Sequence, residues 1–388
     1  MNRTKFILIT DRVPPAKDNI GAYTCHLAAS LQDLGQDVEV WSLQSLASET
    51  MSVPFRSFAQ SRHNIVKLCS LVRVLRDTSA DSCIILWQYN PFLYGWKGLP
   101  SLLSLLPIVL KVTTRCRVGI VFHEICYTPN RDPRSWAWAL FQRVALWMSL
   151  VACDVVIATT QPRRLFLQRF ARLCLPRSVN SISYATVLVG SNIGGYQARS
   201  RKERSAIVRI GTFATSLTRQ NVALLHELCH HLTQSGLSFQ LLLIGGGASG
   251  RPEQCSRIGD DRRGIVASGY LSADDLSVTL SHLDIFIGLF PDGASGRRTS
   301  LAAAFAHGLC IVATDGPNTD HTVFRDGDNC LLIPRSSAAH LCETVRRLIG
   351  DTRLRDRLAG SALETYQREM AWPVIARKVL EASIERAA

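Results

Sequence analysis

The 388-residue chain has no apolar run long enough to cross a bilayer. Its longest, Leu99 to Leu110, is interrupted by serines and prolines and falls short of the roughly 20 residues a spanning helix needs. MNRTKFILITDR offers only Phe6 to Ile9 as continuous apolar sequence before Asp11, too little for the core of an export signal, so a first β-strand and no secretion are the expectation. The twelve cysteines include no CxxC pair, which removes the usual thiol zinc sites; Cys69, Cys83, Cys153, Cys229 and Cys310 fall in apolar runs, as expected of reduced thiols in a cytoplasmic protein. Repeats and low-complexity tracts are absent, which excludes solenoids and linker arrays. Acidic residues are in deficit: 31 Asp and Glu against 44 Lys and Arg leave +13. That balance favours anionic partners (nucleotides, acidic lipid headgroups, nucleic acid) without choosing among them.

What is present is an alternation of short β-rich runs with helical segments. Strands are predicted at Phe6–Thr10, Val38–Leu43, Cys83–Gln88, Val118–Phe122 and Asp154–Thr159. The rhythm resumes at Ile207–Gly211, Phe239–Ile244, Ile265–Ala267, Ile285–Leu289, Cys310–Ala313 and Cys330–Ile333. Alternation of this kind predicts parallel α/β sheets. Between the two sets, Gly190 to Ser205 replaces apolar patterning with glycines and a basic run, so the expected organisation is an N-terminal Rossmann-like domain over residues 1–193, a linker over 194–206, a second such domain over 207–370 and a returning C-terminal helix over 371–388.

In open parallel sheets ligands gather beyond the carboxyl ends of strands. The segment from Leu283 to Gly316 places Ser295, Gly296, Arg297, Arg298, Thr299 and Ser300 where a loop turns into a helix. Amides at a helix start lack intrahelical partners and sit at the positive end of its dipole, so this segment can grip a diphosphate; the alternative is a capped helix with a solvated arginine pair. Gly21 opens the helix predicted at Gly21–Leu34 and permits a ligand or backbone to approach closely there. His123 and Glu124 directly follow a strand, a placement that suits catalysis as well as structural hydrogen bonding. Gly245, Gly246 and Gly247 lack the spacing of a dinucleotide fingerprint and are read as a turn.

Taken in order, these pieces resemble the GT-B glycosyltransferases, particularly glycosyltransferase family 4. NIGAYTCHLAASLQDLGQDVEVW is similar to the family's opening loop, helix and second strand, VFHE to its "H-D/E" site, VLVGSNI to "I-P-x-G-x-N" and IGTFATSLTRQN to "G-R-L-x-x-x-K-G". SGYLSADDLSVTLSHLDIFIGLFP and AFAHGLCIVATDGPNTDHTVFRDGDNCLLIP resemble the family's most specific segments. The resemblance implies two Rossmann-like, doubly wound domains facing across a cleft and a retaining transfer from a nucleotide-sugar donor to a saccharide or lipid-linked acceptor. It implies no metal, no cofactor and no nucleic acid. By the same resemblance Arg219 stands nearest the family's lysine, Arg297 or Arg298 grips phosphate, Gly21 approaches the same phosphates, His123 contacts the transferred sugar with Glu124 on the acceptor side, and the base lies against Gly269, Tyr270 and Leu271.

The pattern also departs from the family. The E-x7-E glutamates fall on Ser295 and Ala303, and the arginine of "G-R-L" is replaced by Thr212. Either a divergent branch uses the arginines and hydroxyls instead, or the site is degenerate. A non-catalytic scaffold for another glycosyltransferase and a sugar-nucleotide epimerase are the rival readings; the epimerase needs more acid and base groups than His123 and Glu124. Trp136, Trp138, Phe141, Trp147 and Met148, followed by Arg163, Arg164, Arg169, Arg172 and Arg177 with no acid among these arginines, suit peripheral attachment to the inner face of a membrane; the alternative puts the tryptophans in the core.

Overall fold

The computed structural model describes residues 3–16, 18–44, 52–60, 64–77, 83–93, 102–126, 129, 131–176, 179–194, 207–213, 217–245 and 265–385. The chain divides into two compact units: Met1–Leu188 with Trp372–Ala388, and Val189–Ala371.

In the first unit, β1 (Lys5–Thr10), β2 (Asp37–Ser42), β3 (Phe55–Ser57), β4 (Cys83–Tyr89), β5 (Arg117–Phe122), β6 (Val155–Ala158) and β7 (Ser183–Thr186) form one parallel sheet in the order β3-β2-β1-β4-β5-β6-β7. Strand β1 is an interior strand, pairing Ile7 with Glu39 on one side and Ile85 on the other. Its Phe6, Ile7, Leu8 and Ile9 are wholly buried, which is why it reads as a continuous apolar run; each such side chain contributes about 1.5–3 kcal/mol on leaving water. Helices α1 (Asn19–Asp33), α2 (Asn64–Asp77), α3 (Leu106–Thr113), α4 (Pro133–Val151) and α5 (Gln161–Cys174) cover the sheet. The short edge strands β3 and β7, FRS and SYAT, were not predicted, because neither carries an apolar run.

In the second unit, β8 (Val208–Phe213), β9 (Phe239–Ile244), β10 (Ile265–Gly269), β11 (Ile285–Gly288), β12 (Cys310–Asp315) and β13 (Leu331–Pro334) form a parallel sheet in the order β10-β9-β8-β11-β12-β13. Its helices are α6 (Arg219–Gln234), α7 (Ala273–Ser281), α8 (Thr299–Ala306), α9 (Ala338–Gly350) and α10 (Thr352–Thr365). Gly246 and Gly247, and most of the expected linker, lie outside the described residues; Gly245 closes β9 with φ +108°.

Helix α11 (Trp372–Ile384) belongs to the first unit and packs on α1. Trp372 stacks on His26 with ring centroids 5.0 Å apart and meets Tyr23 edge-on at 5.3 Å. Arg117 donates to the terminal carbonyls of Ser383, Ile384 and Glu385 at 2.6, 3.0 and 3.0 Å, placing a cation at the negative end of the helix. The tryptophans of α4 are not core residues as a group: Trp136, Phe141 and Trp147 are exposed and Trp138 and Met148 half-buried.

Candidate functional site

In the second unit the chemistry gathers at the carboxyl ends of β11 and β12. Thr314 ties the two strands together: Phe290 N donates to its Oγ1 at 2.8 Å, and that hydroxyl donates to Phe290 O at 2.6 Å. The loop after β11 then turns at Gly293, with φ +97°. A Cβ there would meet Thr319 Oγ1 at 2.3 Å and Gly316 N at 2.7 Å, so only glycine lets the β11 and β12 loops touch backbone to backbone. Asn318 N donates to Asp292 O at 2.9 Å and Ala294 N to Thr314 O at 2.9 Å, fixing the loop that delivers Ser295 to Ser300.

Within this loop Ser295 is fully buried, and its Oγ has no hydrogen-bond partner among the described residues. Val189 N donates to Gly296 O at 2.8 Å. Arg298 is the N-cap of α8, in extended conformation and without a side-chain cap, while Thr299 and Ser300 are half-buried in the first turn. The arginine pair is half-buried and ion-paired rather than freely solvated. Arg297 donates to Asp292 Oδ2 at 2.5 Å, Arg298 donates to Asp292 Oδ1, and the Arg298 guanidinium lies over the Phe290 ring, 5.0 Å from its centroid. Burial pushes the Asp292 carboxyl up, but the Arg297 hydrogen bond and the two guanidinium charges outweigh it and hold the group at about 2. The triad keeps one net positive charge.

Arg219 is the first residue of α6 and is exposed. In the same turn Asn221 Nδ2 donates to Leu289 O at 2.9 Å and Gln220 Nε2 to Ser336 Oγ at 2.5 Å, so this helix start abuts the end of β11. A pocket of about 230 Å³ opens there, lined by Gln220, Asn221, Phe290, Thr314 and Arg335 among others. Gly269, Tyr270 and Leu271 lie elsewhere, at the end of edge strand β10, three strands from β11; Gly269 has φ +66°, and Tyr270 is exposed.

In the first unit His123 follows β5. Its ring sits edge-on to Tyr23 at 4.9 Å, and Nε2 lies 2.8 Å from Gln88 Oε1, which requires the Nε2–H tautomer. Burial, aided by the Arg163 charge, brings its pKa to about 3 and keeps the imidazole neutral. Arg163 also donates to the His123 carbonyl and pairs with Glu124 at 2.5 Å, so Glu124 is held by a charged partner. Gly21 has a structural employment: its amide donates to the N-cap Asp18 at 3.0 Å, and a Cβ would lie 2.2 Å from the Arg12 carbonyl oxygen. The expected use of that amide for phosphate conflicts with its bond to Asp18.

Two carboxylates went unnoticed in the sequence. Asp292 sits among turn residues and reads as a loop breaker. Asp11 closes β1, is 2% exposed and accepts from Gln44 Nε2 at 2.8 Å. Burial raises it to about 6 against the Arg12 charge. An acid directly after the apolar run Phe6–Ile9 and Thr10 is the available signal. Thr10 Oγ1, Tyr23 Oη and Tyr89 Oη, also in this unit, are buried without a partner among the described residues. No group of three or more metal-ligating side chains is assembled among the described residues.

Residues 204–351 match the family described as Glycosyl transferases group 1. No curated protein matches the chain. Among solved structures, it is similar to a glycosyltransferase from Rickettsia africae, at 13% identity and TM-score 0.68 over 98% of each chain. It is also similar to HepE of Anabaena in complex with UDP and glucose, at 14% identity and TM-score 0.66 over 98% of this chain and 99% of that one. A third is a variant of TarM from S. aureus in complex with fondaparinux, alpha-GlcNAc-glycerol and UDP, at 10% identity and TM-score 0.69 over 98% and 100%. The shared fold is GT-B, with two Rossmann-like parallel-sheet domains.

Proposed function

We propose that the protein is a retaining glycosyltransferase that moves a sugar from a nucleotide-sugar donor to a saccharide or lipid-linked saccharide in cell-surface glycan synthesis. The observation that carries this reading is the arginine pair at the start of α8 beside the buried, unpartnered Ser295 hydroxyl. In the reaction the bond from the sugar C1 to the diphosphate oxygen breaks, a bond from C1 to an acceptor hydroxyl forms on the same face, and the hydroxyl proton leaves with the diphosphate. Negative charge builds on that leaving group. Arg298 and Arg297, with the first-turn amides of α8 and the hydroxyls of Thr299 and Ser300, are assigned to stabilise it without a metal, and Arg219 to add a further cation. Ser295 Oγ stands where the family has a glutamate and is assigned to the donor sugar.

With Nε2–H given to Gln88, His123 keeps Nδ1 as an acceptor for a sugar hydroxyl. Glu124 is assigned to the acceptor side, and the backbone of Gly269, Tyr270 and Leu271 to the base. The proposed domain bounds are those read from the sequence, with donor binding in residues 207–370 and acceptor binding in 1–193. UDP, present in the HepE and TarM complexes, is the first nucleotide to test.

Isothermal titration with UDP and GDP, followed by donor hydrolysis across a panel of nucleotide sugars, tests the proposal. Binding of one diphosphate and a loss of about 10²–10³ in turnover in Arg298→Ala are expected. No binding and no turnover with any donor would end it. One observation favours a non-catalytic scaffold instead: Asp292 already occupies both arginines. A scaffold would keep its partner when Arg298 becomes alanine.

A further inference from the structure

Helix α4 carries Trp136, Leu140, Val144, Trp147 and Val151 on one face, since at roughly 100° per residue these five fall within an arc of about 80°. All five are 43% to 63% exposed, and Phe141 beside them is exposed as well. The opposite face, including Ala139, Gln142, Ala145, Leu146, Ser149 and Leu150, is buried against the unit. The stripe runs for roughly 22 Å along the helix. A contiguous apolar face of that length, with two tryptophans, is an interaction surface rather than scattered exposure.

The charge around it selects the occupant. From Pro133 to Pro176 the only acid is Asp154, which is already paired with Lys111 at 2.5 Å, and Asp132 just before this stretch is the N-cap of α4, accepting from Arg134 N at 3.0 Å. Over the same stretch lie Arg134, Arg143, Arg164, Arg169 and Arg172, besides Arg163, which is held by Glu124. Helix α5, which packs against α4, exposes Leu165, Phe166 and Leu173 among Arg169 and Arg172. A second copy docked through the same face would crowd the arginines of both copies together, at a cost from like charge. Anionic headgroups neutralise them instead, while tryptophan and phenylalanine rings settle at the headgroup boundary. We infer that the exposed face of α4 lies flat on an anionic phospholipid surface, with Arg134, Arg169 and Arg172, the exposed arginines of α4 and α5, on lipid phosphates. The inference is independent of the transferase reading.

Vesicle flotation of the full chain tests it, using vesicles of phosphatidylcholine alone and of phosphatidylcholine mixed equally with phosphatidylglycerol. Binding to the mixed vesicles, weakening as salt rises, is expected. Combined Trp136→Glu, Leu140→Glu and Trp147→Glu should reduce it to the phosphatidylcholine level with the thermal midpoint unchanged. Because all three side chains are exposed, the fold should survive; should it not, Arg169→Ala with Arg172→Ala gives a second measurement, with partitioning roughly 30-fold weaker at about five-fold per arginine. Absence of binding to anionic vesicles at low salt overturns the inference, as does undiminished binding by a folded triple variant or by the arginine pair variant. A parent dimer that the triple variant dissociates, with no vesicle binding, would assign the face to a second copy and overturn it equally.

Discussion

Replacing Asp292 with asparagine separates a ligand site from a structural ion cluster. Its carboxylate is shared by Arg297 and Arg298, all three side chains being about a quarter exposed. A fall from 3.8 to about 2 corresponds to about 2.4 kcal/mol at ~1.36 kcal/mol per unit, an upper figure for groups that still touch solvent. Because the folded pKa is the lower one, this stability is present above 3.8 and is lost as pH falls towards 2; about half has gone by pH 3. Asp292→Asn should therefore cost about 1–2 kcal/mol at neutral pH, with the gap to the parent narrowing in acid. A diphosphate gripped by the same guanidiniums would sit about 6 Å from the carboxylate, where unit charges repel by about 3 kcal/mol at an effective dielectric of ~20 and about half that nearer solvent. Removing the carboxylate should tighten UDP binding about ten-fold at low salt, even as the free protein becomes less stable. Thermal melts from pH 7 to pH 3 and isothermal titration read the two effects separately. A variant that loses stability while UDP binds no better would show that the arginines serve the loop and not a diphosphate.

Three further outcomes are expected. Burial raises the folded pKa of Asp11 from 3.8 to about 6, so stability present below pH 3.8 is lost as pH rises to about 6 and stays lost above it; Asp11→Asn, still able to accept from Gln44, should add up to about 3 kcal/mol at pH 8 and almost nothing below pH 3.8, and identical melts at pH 8 would refute this. His123 stays neutral with a pKa of about 3, so its stabilisation is complete above 6.5 and declines by at most about 1.4 kcal/mol per pH unit below it. His123→Gln should flatten the acid limb of the stability curve, and an unchanged slope would contradict the assignment. Gly293→Ala forces a side chain into a left-handed position 2.7 Å from the Gly316 amide nitrogen, and should cost about 2 kcal/mol or more; an unshifted melting midpoint would argue against that loop contact.

Most strands were legible because parallel strands packed on both faces are largely apolar; in Phe239–Ile244, interrupted only by Gln240, the expected and observed bounds coincide. Strand β1 starts one residue early, at Lys5, whose ammonium pairs with Glu39 at 2.7 Å. The edge strands FRS and SYAT were hidden because a strand with one neighbour needs no apolar run. At the site, sequence spacing located the Ser295–Ser300 segment but not its electrostatics. Nothing local to Arg297 and Arg298 announces that Asp292, five and six residues earlier, turns back to meet both; that return is set by Gly293 and the β12 loop. Gly21 is legible as a place where a ligand or backbone approaches closely, and its missing Cβ admits the Arg12 carbonyl. The α4 tryptophans were ambiguous because core and surface aromatic stripes share the same helical period.

The second unit is one unbroken stretch of chain, whereas the first is completed by α11, which the sequence supplies only after that stretch. As the polypeptide leaves the ribosome, α1 waits with Tyr23 and His26 lacking Trp372 until everything from Val189 to Ala371 has already emerged. Domains tend to consolidate as whole units during synthesis. The part translated first is therefore the part that matures last, and its unfinished groove must stay out of aggregation in the interval.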